Sequence, residues 1–315
     1  MKIKKIILEE QGLRDGFQSL PEIVPIEKKI EYITRLVGAG LKRLQVVSFV
    51  HPKLVPQMAD AEELIKHLLS MSDFKDNMPK SDSQNPIFSG LVLNTKGVER
   101  AAKVGLKHLA ISMSASNTHS LKNARMTLDA AKTEFKEMVT LAKSEGITVR
   151  GGIQCAFGCR YEGKIREGVV LDLVRHQLYT GIEEIALADS TGMANPVQMR
   201  QLMKKVMTLS GDKPVSLHLH NTENKGLANV YAALEAGVRQ FDTAFGGLGG
   251  CPFIKSATGN IPTEDTAHML HQMGFETGID VGKVAAISAD FQVFLGRPLQ
   301  GLMYSLYQNK DIKIT

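Results

Sequence analysis

The sequence predicts an α/β protein built as one (β/α)8 barrel with additional C-terminal helices. Three observations carry that prediction. Eight short β-rich runs alternate with longer segments whose apolar residues recur at helical spacing. The same glycine punctuation returns before several of those runs. Polar residues suited to chemistry follow many of the runs, and no Gly-x-Gly-x-x-Gly follows the first, which favours a closed barrel over an open doubly wound sheet.

The first run, Ile3–Leu8, stops before two acids, and the second is Arg43–Ser48. The third, Ile87–Leu93, follows a polar stretch, Ser70–Asn85, that reads as an exposed connection. His108–Met113, Thr148–Gln154, Glu184–Ala188, Val215–Leu219 and Gln240–Thr243 complete the set. Ala39-Gly-Leu41, Val104-Gly-Leu106, Glu145-Gly-Ile147, Thr180-Gly-Ile182 and Ala236-Gly-Val238 precede the second, fourth, fifth, sixth and eighth runs. Gly there suits the left-handed residue that ends a helix, and the apolar residue after it re-enters the core. Beyond the last strand, Val281–Leu295 reads as helix covering the barrel or making an oligomer contact, and its amphipathic part, Val281–Phe294, accommodates the expected homodimer. With no linker rich in Pro, Gly or Ser, residues 1–315 are expected to form a single catalytic domain.

Composition narrows the function classes. A chain of 315 residues that is 43% hydrophobic and 23% charged, with 28 Gly, 11 Pro and no Trp, is ordinary for a soluble globular protein. Thirty-eight basic against thirty-three acidic residues leave +5, but the basic residues are scattered, so no nucleic-acid footprint is expected. A phosphate-bearing small molecule suits that charge. Three cysteines make no disulfide framework, the start carries no secretory core, and no run of 18 apolar residues spans a membrane, so a reducing cytoplasm is the expected location.

Chemistry is most visible at Leu217-His218-Leu219-His220, at the end of a strand. Imidazoles at i and i+2 project to one face and can reach one metal, although a hydrogen-bonded core role is open to either. In Gly12-Leu-Arg-Asp-Gly16, Asp15 can ligate a cation while Arg14 offsets a developing oxyanion. Phe245-Gly-Gly-Leu-Gly-Gly-Cys-Pro-Phe253 packs glycine around Cys251 and reads as a lid that carries the thiol inward. Asn260, downstream, offers a neutral oxygen. Asp15, His218, His220 and Asn260 together form a mixed N/O set suited to Mg²⁺ or Mn²⁺, with Zn²⁺ open to the same donors.

Leu13-Arg-Asp-Gly-Phe-Gln18, Ser48-Phe-Val-His-Pro-Lys53, Cys155-Ala-Phe-Gly-Cys159, Ala188-Asp-Ser-Thr-Gly192, Gly247-Leu-Gly-Gly-Cys-Pro252 and Ser256-Ala-Thr-Gly-Asn-Ile-Pro-Thr-Glu-Asp265 together resemble 3-hydroxy-3-methylglutaryl-CoA lyases over nearly the whole chain. The resemblance implies a TIM barrel with a divalent cation at Asp15, His218, His220 and Asn260. It implies that Arg14 stabilises an acyl-CoA enolate, that Cys251 transfers a proton, and that Asp189 lies in the substrate-binding mouth. Gln45, Ser48 and Asn117 are the expected substrate-binding residues. The expected reaction is retro-Claisen cleavage of a 3-hydroxyacyl-CoA to acetyl-CoA and a keto acid.

Against the family pattern, amides stand at Gln45, Asn117 and Asn221 where acids are expected, and Gly152 and Ala186 replace larger or more polar groups. These departures predict a pocket changed in charge and opened in shape, hence an altered acyl substrate. A Claisen-type condensing synthase and a barrel that binds metal or CoA ester without turnover are the two alternative readings.

Overall fold

The computed structural model describes residues 5–71, 85–250 and 259–309. Eight parallel strands, β1 (Ile7–Glu10), β2 (Arg43–Ser48), β3 (Ile87–Val92), β4 (His108–Ser114), β5 (Thr148–Gln154), β6 (Glu184–Asp189), β7 (Val215–Leu219) and β8 (Gln240–Thr243), close into a barrel in sequence order, with β1 pairing β8. The helices are α1 (Ile26–Gly38), α2 (Ala61–Ser70), α3 (Thr95–Lys103), α4 (Asn117–Ala124), α5 (Leu128–Ser144), α6 (Glu167–Tyr179), α7 (Pro196–Ser210), α8 (Gly226–Glu235), α9 (Thr263–Gln272), α10 (Val281–Leu295) and α11 (Met303–Gln308).

The first strand differs from expectation. It occupies Ile7–Glu10 instead of Ile3–Leu8, because two acids that read as a strand end point into the molecule. Ile3 and Lys4, most of the polar connection at 72–84, and residues 251–258 lie outside the described residues. All five glycines of the repeated punctuation, Gly40, Gly105, Gly146, Gly181 and Gly237, have positive φ. A Cβ at Gly40 would lie 2.0 Å from the Gly278 carbonyl oxygen, so there the absence of a side chain is a packing requirement too.

The lower barrel interior is charged. Arg43 pairs with Glu9 at 2.9 Å and clamps Glu184 through two bonds of 2.8 and 2.7 Å, while Arg150 reaches Glu9 at 3.0 Å and both Asp242 oxygens at 2.7 Å. Burial alone would raise the Glu9 carboxyl, but Arg150 and Arg43 outweigh it and hold it at about 2. Removing one partner would strand a buried charge, so this layer fixes the register of five strands.

At the other end of the strands an aromatic cluster ties the site loops together. Phe17, just after the β1 loop, stacks on Phe291 of α10 at 5.1 Å, and Phe245, just after β8, lies 5.4 Å from the same ring. The buried Glu10 carboxylate accepts from Gly12 and Phe245 N–H groups at 2.7 and 3.0 Å and from the Thr263 hydroxyl at 2.8 Å. One side chain thereby joins the β1 loop, the β8 loop and the start of α9.

Candidate metal centre and active site

After β1 the backbone winds through a π-helical turn, Gly12–Gly16, that projects Asp15 over the barrel mouth. His218 on β7 and His220 just past it point to the same space, as the strand alternation requires. Their Nε2 atoms lie 3.1 Å apart, and Asp15 Oδ2 is 3.7 Å from His220 Nε2 and 4.0 Å from His218 Nε2. Among the described residues these three donors lie within 4.8 Å of one another.

Each ligand candidate is held in a suitable state. His218 Nδ1 donates to Asp242 Oδ2 at 3.1 Å, which leaves Nε2 as the lone-pair nitrogen. Burial pushes His220 down to about 4, with the Arg14 charge acting in the same direction against Asp15, so its ring is neutral at ordinary pH. Burial would raise the Asp15 carboxyl, but the Arg14 guanidinium beside it, helped by the hydrogen bond from the Asn260 amide, holds it well below the usual carboxylate range.

Asn260 pairs with His220 through a backbone bridge, and its Nδ2 donates to Asp15 Oδ2 at 2.8 Å and to the Leu248 carbonyl at 3.0 Å. Its Oδ1 is buried without a partner, an orphan that a cation could satisfy. Gly249 leaves the same corner open: a Cβ there would come 2.5 Å from Asn260 Nδ2 and 3.1 Å from Asp15 Oδ2. Two imidazoles, a carboxylate and an amide oxygen therefore fit a divalent cation of the Mg²⁺ or Mn²⁺ kind.

Arg14 is anchored beside this cluster. Its Nε donates to Gln45 Oε1 at 2.5 Å, one terminal nitrogen pairs with Asp15, and the other donates to Gln11 Oε1 at 3.0 Å. Arg14, Gln45 and the three-donor cluster line one cavity of about 180 Å³, whose opposite wall includes Ser112, Gly152 and Ala186.

Other expectations need correction. Asp189 does not line the cavity. It is buried, and its two oxygens accept the Met193 and Ala194 N–H groups, each at 3.0 Å, so it shapes the loop after β6. Burial pushes its carboxyl up to about 6 against those hydrogen bonds. Asn117 begins α4 on the exterior, where its Oδ1 accepts from Leu128 N–H at 3.2 Å beside a separate surface depression. Asn221 braces the start of α8, accepting from Gly226 N–H at 2.9 Å. Of the three amides, Gln45 alone lines the cavity among the described residues, so the predicted change in pocket charge contracts to that position.

Ser48 lies behind the wall, donating at 3.0 Å to Gln18, which does line the cavity. Gly152 opens less room than expected, since a Cβ there would meet Ser112 Oγ at 2.4 Å. Cys251 lies outside the described residues. Sequence reasoning missed Asp242 and Arg150. The signal was present in inward positions of β8 and β5, but only the register shows which acid stands behind which histidine.

The HMGL-like family model matches residues 5–291. The chain is 38% identical over 301 residues to the (R)-citramalyl-CoA lyase of Chloroflexus aurantiacus, covering 96% of this chain and 94% of that protein. It is 35% identical over 297 residues to the mitochondrial hydroxymethylglutaryl-CoA lyase of Arabidopsis thaliana, covering 94% of this chain and 60% of that longer protein. The solved structure of an HMG-CoA lyase from Acinetobacter baumannii in complex with coenzyme A and 3-methylmalate superimposes with a TM-score of 0.88 at 38% identity, over 98% of this chain and 97% of that one.

Proposed function

The chain belongs to the HMGL-like family, and from that membership we propose that it is a divalent-metal-dependent carbon–carbon lyase that cleaves a 3-hydroxyacyl-CoA to an acyl-CoA and a keto acid. The observation that carries this reading is the convergence of Asp15, His218 and His220 beside the unpartnered Asn260 oxygen, with Arg14 fixed at their edge. Relatives named for cleavage of citramalyl-CoA and hydroxymethylglutaryl-CoA support it.

A cation held by Asp15, His218, His220 and Asn260 would polarise the substrate's carbinol oxygen and lower its pKa. The reaction balances without a redox partner. The carbinol proton leaves, a C=O forms at C3, the C2–C3 bond breaks toward the thioester enolate, and a proton returns to C2. Arg14 has N–H groups beyond the three engaged by Gln45, Asp15 and Gln11, and these offset charge on the enolate oxygen. Cys251, in the glycine-rich sequence that follows β8, is the proton donor of this reading. Gln45 cannot exchange a proton and so serves binding.

No helix of the described residues is long and apolar enough to cross a membrane. A cytoplasmic homodimer acting on an acyl-CoA completes the reading, with the exposed Val293 and Leu302 near the C-terminal helices available for the dimer contact. The test is a coupled assay for acyl-CoA release with Mg²⁺ or Mn²⁺ across thioesters differing at C3, beside His220→Ala and Cys251→Ala. Release that requires His220 supports the reading; no cleavage of any thioester overturns it.

A further inference from the structure

Of the titratable side chains that line the cavity, Asp15, His218 and His220 are the ligand candidates, Arg14 pairs with Asp15, and Arg150 and Asp242 hold each other in the charged floor. Among the described residues that leaves His119, a cavity-lining imidazole for which the cleavage as drawn above has no use. It stands in the first turn of α4, where the Ser116 hydroxyl caps the helix by accepting from His119 N–H at 3.1 Å. Its Nδ1 lies 3.1 Å from Ser114 Oγ at the end of β4, and that oxygen also accepts from Ser116 N–H at 3.1 Å. The ring is thus fixed from its Nδ1 side, and Nε2 is the nitrogen through which it can meet a bound molecule. Burial holds the imidazole below its usual range against the Glu162 carboxylate, so at ordinary pH it is neutral and carries one hydrogen.

Position in the barrel says which end of a substrate this ring meets. With eight strands closed in sequence order, β4 stands opposite β8, whereas the cation donors come from the β1 loop, from the end of β7 and from the segment after β8. A substrate whose carbinol sits at the cation site extends its thioester toward the α4 wall, across a cavity of only about 180 Å³. We infer that His119 is a catalytic residue of the cleavage, its Nε2–H donating to the thioester oxygen as that oxygen takes up enolate charge, while Ser114 Oγ–H donates to Nδ1 and fixes the tautomer. This rests on the lyase reading and adds to Arg14 a second donor from the opposite wall. A neutral imidazole suits the role, because it polarises a carbonyl without surrendering its proton to the enolate. His119 starts and ends neutral, so the proton balance of the cleavage is unchanged. The other tautomer, with Nδ1–H on Ser114, would turn a lone pair toward the developing anion.

His119→Phe keeps a ring and removes the donor, whereas His119→Gln keeps a donor without the ring. With Mg²⁺ and citramalyl-CoA or hydroxymethylglutaryl-CoA, His119→Phe should lower kcat by about 100-fold, the loss of one oxyanion donor, with KM within about threefold. His119→Gln should recover at least about tenfold of that loss, whereas packing alone would favour Phe over Gln. Two readouts do not depend on turnover. Infrared spectra of carbonyl-labelled acetyl-CoA bound to the Mg²⁺-loaded protein should show the thioester stretch lowered in the wild type and returned toward its free value in His119→Phe. Nitrogen NMR of the wild type should show His119 Nε2 bearing the hydrogen and Nδ1 bare. The Nδ1–H tautomer, a carbonyl stretch that does not respond to His119→Phe, or kcat retained in His119→Phe overturns the inference. A stretch that responds to His119→Phe while no thioester is cleaved overturns the lyase reading instead.

Discussion

His218 Nδ1 donates to Asp242 Oδ2 at 3.1 Å, and Arg150 holds both oxygens of that same carboxylate at 2.7 Å from below. The imidazole that faces the cation site is thus oriented by an acid which is itself fixed by the charged barrel floor. Groups behind a metal-bound histidine set its tautomer and basicity, and their loss typically costs about 10- to 100-fold in metal affinity. Asp242→Asn should weaken Mn²⁺ binding by that factor, read by calorimetry, while the far-ultraviolet dichroism stays unchanged. Unaltered affinity would show that His218 needs no such support.

A second prediction concerns pH. Glu264 is buried at the start of α9, where its oxygens accept the Gly246 N–H at 3.0 and 3.1 Å. Burial pushes its carboxyl from 4.5 up to about 8, aided by the neighbouring Asp265 and opposed by hydrogen bonds. The folded state therefore holds this proton more tightly than the unfolded chain. The stability so gained is full below pH 4.5 and is lost as pH rises through about 8. Glu10, raised to about 7 mainly by burial, acts in the same sense. Urea midpoints of the metal-free protein should fall between pH 5 and 8.5, and Glu264→Gln should shrink that fall without abolishing it. Equal falls in both proteins would refute the assignment.

What the sequence made legible follows from which signals are local. Strand and helix period together with the recurrent glycines place seven of the eight strands within a residue or so of their observed ends, β7 and β8 among them with the same bounds. The first strand differs from the expectation because charge normally marks an exposed end, whereas Glu9 and Glu10 are stabilised by partners far away in sequence, Arg43 on β2 and Thr263 at the start of α9. In the site, His218-x-His220 is readable because both rings belong to one extended segment at the end of β7. Asp242 behind His218, and the Gln45 oxygen on Arg14, depend on how neighbouring strands far apart in sequence are registered, which no local pattern encodes. Asn117 and Asn221 were overread for the converse reason: position in a βα loop does not say whether a side chain turns to the cavity or caps a helix.

The glycine punctuation separates into two physical cases that mutation can tell apart. At Gly146, φ is +65° and no atom lies within 4 Å of a built Cβ, so Gly146→Ala should cost only the left-handed penalty of roughly 1–2 kcal/mol. At Gly40, φ is +99° and the Cβ would meet the Gly278 carbonyl oxygen at 2.0 Å, forcing apart the end of α1 and the segment that leads into α10. Gly40→Ala should therefore lower the melting temperature by at least twice as much. Similar shifts for the two variants would mean that the α1 end moves without cost.

Gly249 offers the sharpest separation of site from scaffold. It has φ +123° and adjoins both Asp15 and Asn260, and a Cβ would approach Asn260 Nδ2 to 2.5 Å and Asp15 Oδ2 to 3.1 Å. Both neighbours are ligand candidates, so the methyl group must displace at least one of them from the imidazole pair. The strand framework is remote from this corner and rests on the charged floor and the Phe17, Phe245 and Phe291 cluster instead. Gly249→Ala should accordingly reduce Mn²⁺ affinity by at least about tenfold, the scale seen when ligand geometry is disturbed. Acyl-CoA release should fall with it, and the loss should be partly recovered at high Mn²⁺ because a weakened site refills by mass action. Full Mn²⁺ affinity in this variant would remove Asn260 from the ligand set, leaving the cation to Asp15, His218 and His220.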